Sequence, residues 1–261
     1  MKKIINKKLG ETPLEALQRT TKDKATYVGR LDPMATGELL ILSGKDVYKK
    51  EHYQNLDKEY VVEVLLDIST DTGDILGMPI HANRHTRASN NILKDILKKE
   101  VGTKTLPYPH FSSKPVNGKP LFLHALEGTL KDIEIPTHEE TFYRIELLRT
   151  KLIDPNTLYK KVQHLLKHAP ISDDPRKTIG KDFRQEEIKK TWMNTLWNNR
   201  QHYQIITIKV TCGSGAYMRS LAERIGRHLG TNACALSIHR NKIGRYTTIL
   251  SIPFFIPIRL T

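Results

Sequence analysis

The chain has 261 residues, a formal net charge of +14 and a pI near 9.6. Hydrophobic residues make up 38% and charged residues 27%, which fits a folded protein with one large core or two modest ones and excludes wholesale disorder. No apolar run approaches the ~20 residues that span a bilayer, no signal-like apolar stretch follows the basic N-terminus, and two cysteines, Cys212 and Cys234, suggest a reducing cytoplasm rather than a disulfide framework. So large a cationic surplus attracts polyanions, above all nucleic acid, although charge does not separate RNA from DNA.

Along the chain, "TPLEALQRT" predicts a helix with Thr12 as N-cap, Pro13 at its first position and Glu15 completing a capping box, with Leu14 and Leu17 on one face. "EYVVEVLLDIST" alternates as a half-buried strand does, with Tyr60, Val62, Val64 and Leu66 sharing one parity, and ends at the turn containing Gly73. "ANRHTRASNNILKDILKKEVG" opens as a basic loop and becomes a helix after Ser89, with Ile92, Leu93, Ile96 and Leu97 as its apolar face. Asn117-Gly118 reads as a tight hairpin turn, and His124 to Gly128 as a short helix closed by its glycine. Strands are expected at Thr141 to Arg149 and Tyr203 to Cys212, and a helix from about Ala216 to near Gly230.

Between those two strands, residues 151–202 differ in character. "PNTLYKKVQHLLKHA" and "RQEEIKKTWMNTLWNNR" are candidate helices flanking a charged, proline-bearing loop, and Leu158, Val162, Leu165 and Leu166 form an apolar stripe. The flanking strands would pair without this segment, so it is expected to be an inserted basic helical subdomain. From Lys151 to Tyr203 it holds eleven Lys/Arg against six Asp/Glu.

The stretch "YVGRLDPMATGELL", residues 27–40, sets an aspartate before a proline in a glycine-flanked loop. Asp-Pro is common at turn starts, so Asp32 read alone is a turn former or a catalyst. The histidine pairs His81/His85 and His164/His168 have i,i+4 spacing but no accompanying carboxylate or cysteine cluster, so no metal site is expected. "GSGAYMRS" lacks the Gly-Lys-Ser/Thr ending of a phosphate loop.

The run G-R-L-D-P-M-A-T-G-E-L-L resembles the catalytic motif of pseudouridine synthases, specifically the TruB branch that acts on the T-loop uridine of tRNA, position 55. Four further stretches in the same order carry the resemblance: "INKKLGETPLEALQ", "DKEYVVEVLLDISTDTGDILG", "YPHFSSKPVNGKPLFLHALEG" and "VTCGSGAYMRSLAERIGRHLG", closed by "LSIHRNKIGRY". The resemblance implies an α+β pseudouridine synthase fold: a mixed, mainly antiparallel central sheet flanked by helices and loops, here with a helical insertion. Residues 1–150 and 203–252 would form the catalytic domain, residues 151–202 the insert, and residues 253–261 a C-terminal tail without the full RNA-binding PUA domain many relatives carry. The basic insert would then partly replace that domain in gripping tRNA.

By the same resemblance, Asp32, Tyr60 and Arg219 are the catalytic set. Pseudouridine formation breaks the N1–C1′ bond, turns the uracil and joins C5 to C1′. Uracil C5 is already nucleophilic, so no cofactor or metal is implied, but a carboxylate is. A carboxylate in a closed pocket loses hydration, and a guanidinium opposes that loss bidentately, which is the part given to Arg219. Without the motif, Arg219 reads as a surface helix residue paired with Glu223. Tyr60 would stack on a base flipped out of its helix and offer a hydroxyl for proton transfer; without the motif it is an aromatic on a strand. Tyr217 would extend the pocket wall, Ile238 fill an apolar position, Lys119 belong to the substrate-covering turn, and Gly29, with Gly37, let the backbone approach RNA closely.

Two positions depart from the TruB pattern. Tyr27 stands where a histidine usually fills the space left by the flipped base. Arg30 makes "R-L-D" resemble the ribosomal-RNA branch, the RluA-like enzymes. The expected partner is the T-arm of tRNA, and the expected state a cytoplasmic monomer. The alternatives are a synthase acting on another RNA site and a non-catalytic tRNA-binding or tRNA-folding protein.

Overall fold

In the computed structural model of the chain, residues 1–82, 85–169, 184–198, 201–249 and 252–258 are described. The loop expected between the two insert helices, with Pro170 and Pro175, lies outside them, as do Asn83 and Arg84 of the expected basic loop. The elements run β1 (Lys2–Lys7), α1 (Pro13–Thr20), β2 (Ala25–Val28), β3 (Ala35–Ser43), α2 (Lys50–Gln54), β4 (Asp57–Leu66), β5 (Ile68–Thr70), β6 (Pro79–His81), α3 (Asn90–Glu100) and β7 (Gly102–Pro107). There follow β8 (Pro115–Val116), β9 (Lys119–Pro120), α4 (Leu121–Leu126), β10 (Thr137–Ile153), α5 (Pro155–His168), α6 (Gln185–Asn198), β11 (Tyr203–Cys212), α7 (Met218–His228), β12 (Ala233–Ile249) and β13 (Ile252–Pro257).

A mixed sheet of nine strands organises the described residues, in the order β1-β3-β12-β4-β11-β10-β7, with β2 beside β3 and β13 beside β12. Every pairing is antiparallel except β12 with β3, which is parallel through Ile238↔Ala35 and Arg240↔Gly37. That one pairing brings the closing motif alongside the segment just after Asp32.

Local signals hold at the helix starts. Thr12 and Glu15 form the capping box, Ser89 caps α3 and Asp154 caps α5. The faces are corrected in three places. Leu14 and Ile92 are exposed, and Ala16 with Leu17 and Leu93 with Ile96 and Leu97 make the buried faces. β4 is not half-buried: it lies between β12 and β11, and Glu63 and Leu65 of the other parity are covered as well. β10 runs longer than expected, α7 begins at Met218 rather than Ala216, the short helix is α4 at Leu121–Leu126, and most of the expected tail is strand β13.

One hydrophobic cluster unites the sheet with α3, α7, α5 and α6, through Leu158, Val162, Leu165 and Leu166 of α5 and Ile188, Trp192 and Leu196 of α6. Glu63 of β4 is clasped by Lys151 at 2.8 Å and Lys161 at 2.7 Å, which overcome burial and hold its carboxyl down at about 2.

Candidate active site

The loop carrying Asp32 joins β2 to β3 and is held from behind. Lys7, at the end of β1, is buried and donates from Nζ to the carbonyls of Ala35 at 2.6 Å and Pro33 at 3.3 Å. Gly10 N–H donates to Pro33 O at 3.0 Å, and Ala35 N–H turns back to Asp32 O at 2.9 Å. Burial lowers Lys7 to about 8. These bonds fix the backbone, and the Asp32 side chain stays 42% exposed and open to a ligand.

Arg219, one residue into α7, meets that carboxylate from the buried side. Its Nε lies 2.8 Å from Asp32 Oδ2 and 3.7 Å from Asp74 Oδ2, and its side chain is 7% exposed. Nη1 donates to Thr72 O at 2.6 Å and Nη2 to Phe111 O at 2.9 Å. The guanidinium is therefore fixed on two faces, and its ion pairs are with Asp32 and Asp74 rather than with Glu223. Burial alone would lower Arg219, but the two carboxylates outweigh it and raise it. Asp74 is buried, and desolvation pushes it up to about 6 against the pull of Arg219, with the negative charge of Asp32 adding to the rise.

Tyr60 is buried on β4, opposite Arg240 of β12 on one side and Val210 of β11 on the other, and belongs to the large cluster that also holds Leu31, Met34, Ala35 and Ile238. Burial raises its phenol, while a hydrogen bond with Arg240 pulls the other way. Arg240, like Asp74 and Lys7, is a residue that its sequence context does not single out. It is 1% exposed and donates to Glu38 O at 2.6 Å, Gly29 O at 3.2 Å and Arg30 O at 3.3 Å. Gly29 has φ +71 and its absent Cβ would stand 3.4 Å from Arg240 Nη1; at Gly37, φ +107, a Cβ would run into the Arg240 backbone. Gly37 thus leaves room for the Arg240 backbone, while at Gly29 it is the positive φ, rather than crowding, that disfavours a side chain. Lys58 is a second buried cation here, lowered to about 8 by burial and by Arg240.

The other expected positions are distributed around this centre. Ile238 is buried on β12, opposite Val62 of β4 and Ala35 just after the Asp32 loop. Tyr217 sits at the N-cap of α7, is pushed up to about 12 by burial, and meets Tyr108 and His138 edge-on with ring centres at 6.2 and 5.4 Å. The Arg30 side chain is exposed on the loop. Tyr27 packs on the Ala16, Leu17, Leu39 and Ile41 cluster, with Lys50 Nζ 5.9 Å from its ring centre. Lys119 is ion-paired with Glu127 beside the Asn117-Gly118 turn. Beside Arg219 opens a cavity of about 270 Å³ lined in part by Thr72, Tyr108, Phe111, Ser220, Arg224 and Arg227. Among the described residues no group of three or more His, Cys, Asp or Glu is arranged to hold a metal, and no helix is long and apolar enough to cross a membrane.

Residues 17–163 match the N-terminal domain of the TruB family pseudouridylate synthases. The chain belongs to the TruB family. Among TruB relatives, a tRNA pseudouridine synthase B of Caldicellulosiruptor saccharolyticus is 27% identical over 244 residues, covering 92% of this chain and 66% of the relative. One from Francisella philomiragia is 28% identical over 248 residues, covering 93% and 65%. The chain thus spans about two thirds of the length of these curated relatives. In fold it resembles a chain of a Cbf5-Nop10-Gar1 complex, with a TM-score of 0.53 at 17% identity over 92% of this chain and 48% of that one. A chain of an H/ACA RNP bound to a substrate RNA containing 2′-deoxyuridine gives 0.50 at 17% identity, over 92% and 47%. The α+β pseudouridine synthase fold is the one the chain adopts.

Proposed function

We propose that the protein isomerises a uridine of tRNA to pseudouridine, at the T-loop position 55, without cofactor or metal. The observation that carries this reading is the Asp32–Arg219 contact at 2.8 Å in a TruB-family loop: one partner is open to a ligand and the other buried. Breaking N1–C1′ leaves charge on the base and on the sugar. An accessible carboxylate whose counter-charge is already fixed can act at C1′, at C6 or on the C2′ proton with little reorganisation at the moment of reaction. Arg219 cannot swing away, because Thr72 O and Phe111 O hold its other nitrogens. Tyr60 and Ile238 supply the apolar wall beside Asp32, and Tyr60 brings a hydroxyl whose proton burial retains. Tyr217 extends that wall. Tyr27, near the end of β2, and Arg30, on the Asp32 loop, contact the RNA around the flipped base, and Lys119 lies on the hairpin that covers it.

The reaction is an isomerisation. C1′–N1 is exchanged for C1′–C5, C5 gives up its hydrogen and N1 gains one. A tRNA tritiated at uridine C5 therefore releases label to water. Release by the wild type and none by Asp32→Asn supports the reading; equal release by both, or none by the wild type with tight tRNA binding, rejects it. The exposed Arg30 favours one second reading, a uridine in another RNA, which would appear as release from ribosomal RNA fragments but not from tRNA.

A further inference from the structure

Arg219 is placed by two carbonyls from distant segments, Thr72 O in the turn after β5 and Phe111 O in the loop after β7. Neither is fixed by a sheet ladder, so something must set their separation. Arg184, at the start of α6 in the inserted segment, reaches both. Its Nη1 donates to Asp71 Oδ2 at 2.8 Å, and its guanidinium carbon stands 5.8 Å from the centre of the Phe111 ring. The other oxygen of Asp71 accepts the Met78 N–H at 2.7 Å, closing the turn that contains Thr72 and Asp74. About two helical turns further along α6, buried Trp192 donates Nε1–H to Gly77 O at 3.1 Å. α6 therefore grips the 71–78 turn at both ends. Arg184 takes φ +62, a conformation uncommon for a residue with a side chain, and the surrounding contacts hold it there. Residue 184 lies beyond the family-matched residues 17–163.

We infer that Arg184 is a positioning residue for the catalytic centre: by bridging Asp71 and Phe111 it fixes the two carbonyls that aim Arg219 at Asp32. The insert then sets the geometry of the reacting groups and is not only a surface for RNA. Its kinetic consequence rests on the proposed synthase activity; its structural consequence does not.

The test compares Arg184→Gln, Arg184→Lys, Asp71→Asn and the Arg184→Gln/Asp71→Asn pair in the full chain. Single-turnover tritium release and tRNA Kd are measured for each. The Arg219 Nε–H resonance, assigned by its loss in Arg219→Lys, is followed with no RNA present. Arg184→Gln is expected to slow the step on the order of tenfold or more, to leave Kd within about twofold, and to shift the Arg219 resonance. Arg184→Lys recovers part of the rate, and the double variant is no slower than the slower single one. An unchanged rate and resonance overturn the inference. So does a weakened Kd whose salt slope falls by about one contact at unchanged rate, which would make Arg184 a phosphate ligand. If the wild type releases no tritium, the functional reading fails by itself; the resonance still decides, its shift supporting the coupling and its constancy overturning it.

Discussion

Arg240→Met tests how the Asp32 loop is held. The substitution keeps most of the side-chain volume and removes a guanidinium that donates to Glu38 O at 2.6 Å, Gly29 O at 3.2 Å and Arg30 O at 3.3 Å. A hydrogen bond from a charged donor contributes about 1.5–3 kcal/mol net, and the two longer ones belong at the bottom of that range. Removing a buried cation also relieves Lys7 and Lys58, both lowered by it, so part of the loss is offset. The balance is a destabilisation of about 2–4 kcal/mol. For a protein of this size that is a Tm lower by about 5–15 °C. The Gly29–Arg30 backbone leads directly into Asp32, so a drift of that loop by about 1 Å would slow the chemical step on the order of 100-fold. Arg240→Lys keeps a charge but cannot serve three carbonyls, and falls between. Thermal unfolding by circular dichroism and single-turnover tritium release at saturating tRNA read the two effects. A variant with wild-type Tm and wild-type rate would refute the reasoning.

Asp74 gives a pH-dependent prediction. Its carboxyl is raised from 3.8 to about 6 by burial, so its stabilising contribution is full below pH 3.8 and lost as pH rises through 6. Asp74→Asn should gain stability relative to the wild type by up to about 3 kcal/mol between about pH 4 and about pH 7.5; urea unfolding at the two pH values checks this, and a pH-independent difference contradicts it. Deleting residues 151–202 is a poor test of RNA grip, because α5 and α6 are in the core. Replacing the exposed Lys160, Lys167 and Lys190 with Gln should instead flatten the salt dependence of tRNA affinity by about 0.7–0.9 per lost phosphate contact, at unchanged saturated rate; an unchanged slope shows that these lysines do not meet RNA. Gly10 has φ +79, and a Cβ there would overlap His168 O at the end of α5. Gly10→Ala should cost about 1–3 kcal/mol from backbone strain alone, and an unchanged urea midpoint would contradict the packing.

Much of the site was legible because its parts are local. Asp32 and Arg219 were singled out by the short stretches that resemble the TruB pattern, and the structure brings them to 2.8 Å of each other. Capping residues gave the starts of α1 and α3, since a cap acts within three or four positions. What stayed hidden depends on pairing between distant segments. Arg240 is one of several basic residues in "HRNKIGR", and only the parallel pairing of β12 with β3 shows that it points under the Asp32 loop. Asp74 reads as part of a turn until Arg219 is placed against it, and Lys7 reads as one more cation near a basic terminus until burial and the Ala35 carbonyl single it out. The alternation of β4 suggested one covered face, but a strand in mid-sheet with α5 reaching Glu63 is covered on both. α5 and α6 were readable from their spacing. The grip of α6 on the 71–78 turn was not, because Trp192 and Gly77 stand 115 residues apart.

The central claim is tested most directly by mapping pseudouridine position by position in unmodified tRNA and ribosomal RNA fragments after incubation with the full chain, with Asp32→Asn beside it. The account predicts one new pseudouridine at the T-loop uridine of tRNA and its disappearance in the variant. Tight tRNA binding with no pseudouridine in any RNA, or the same product from Asp32→Asn, would contradict it.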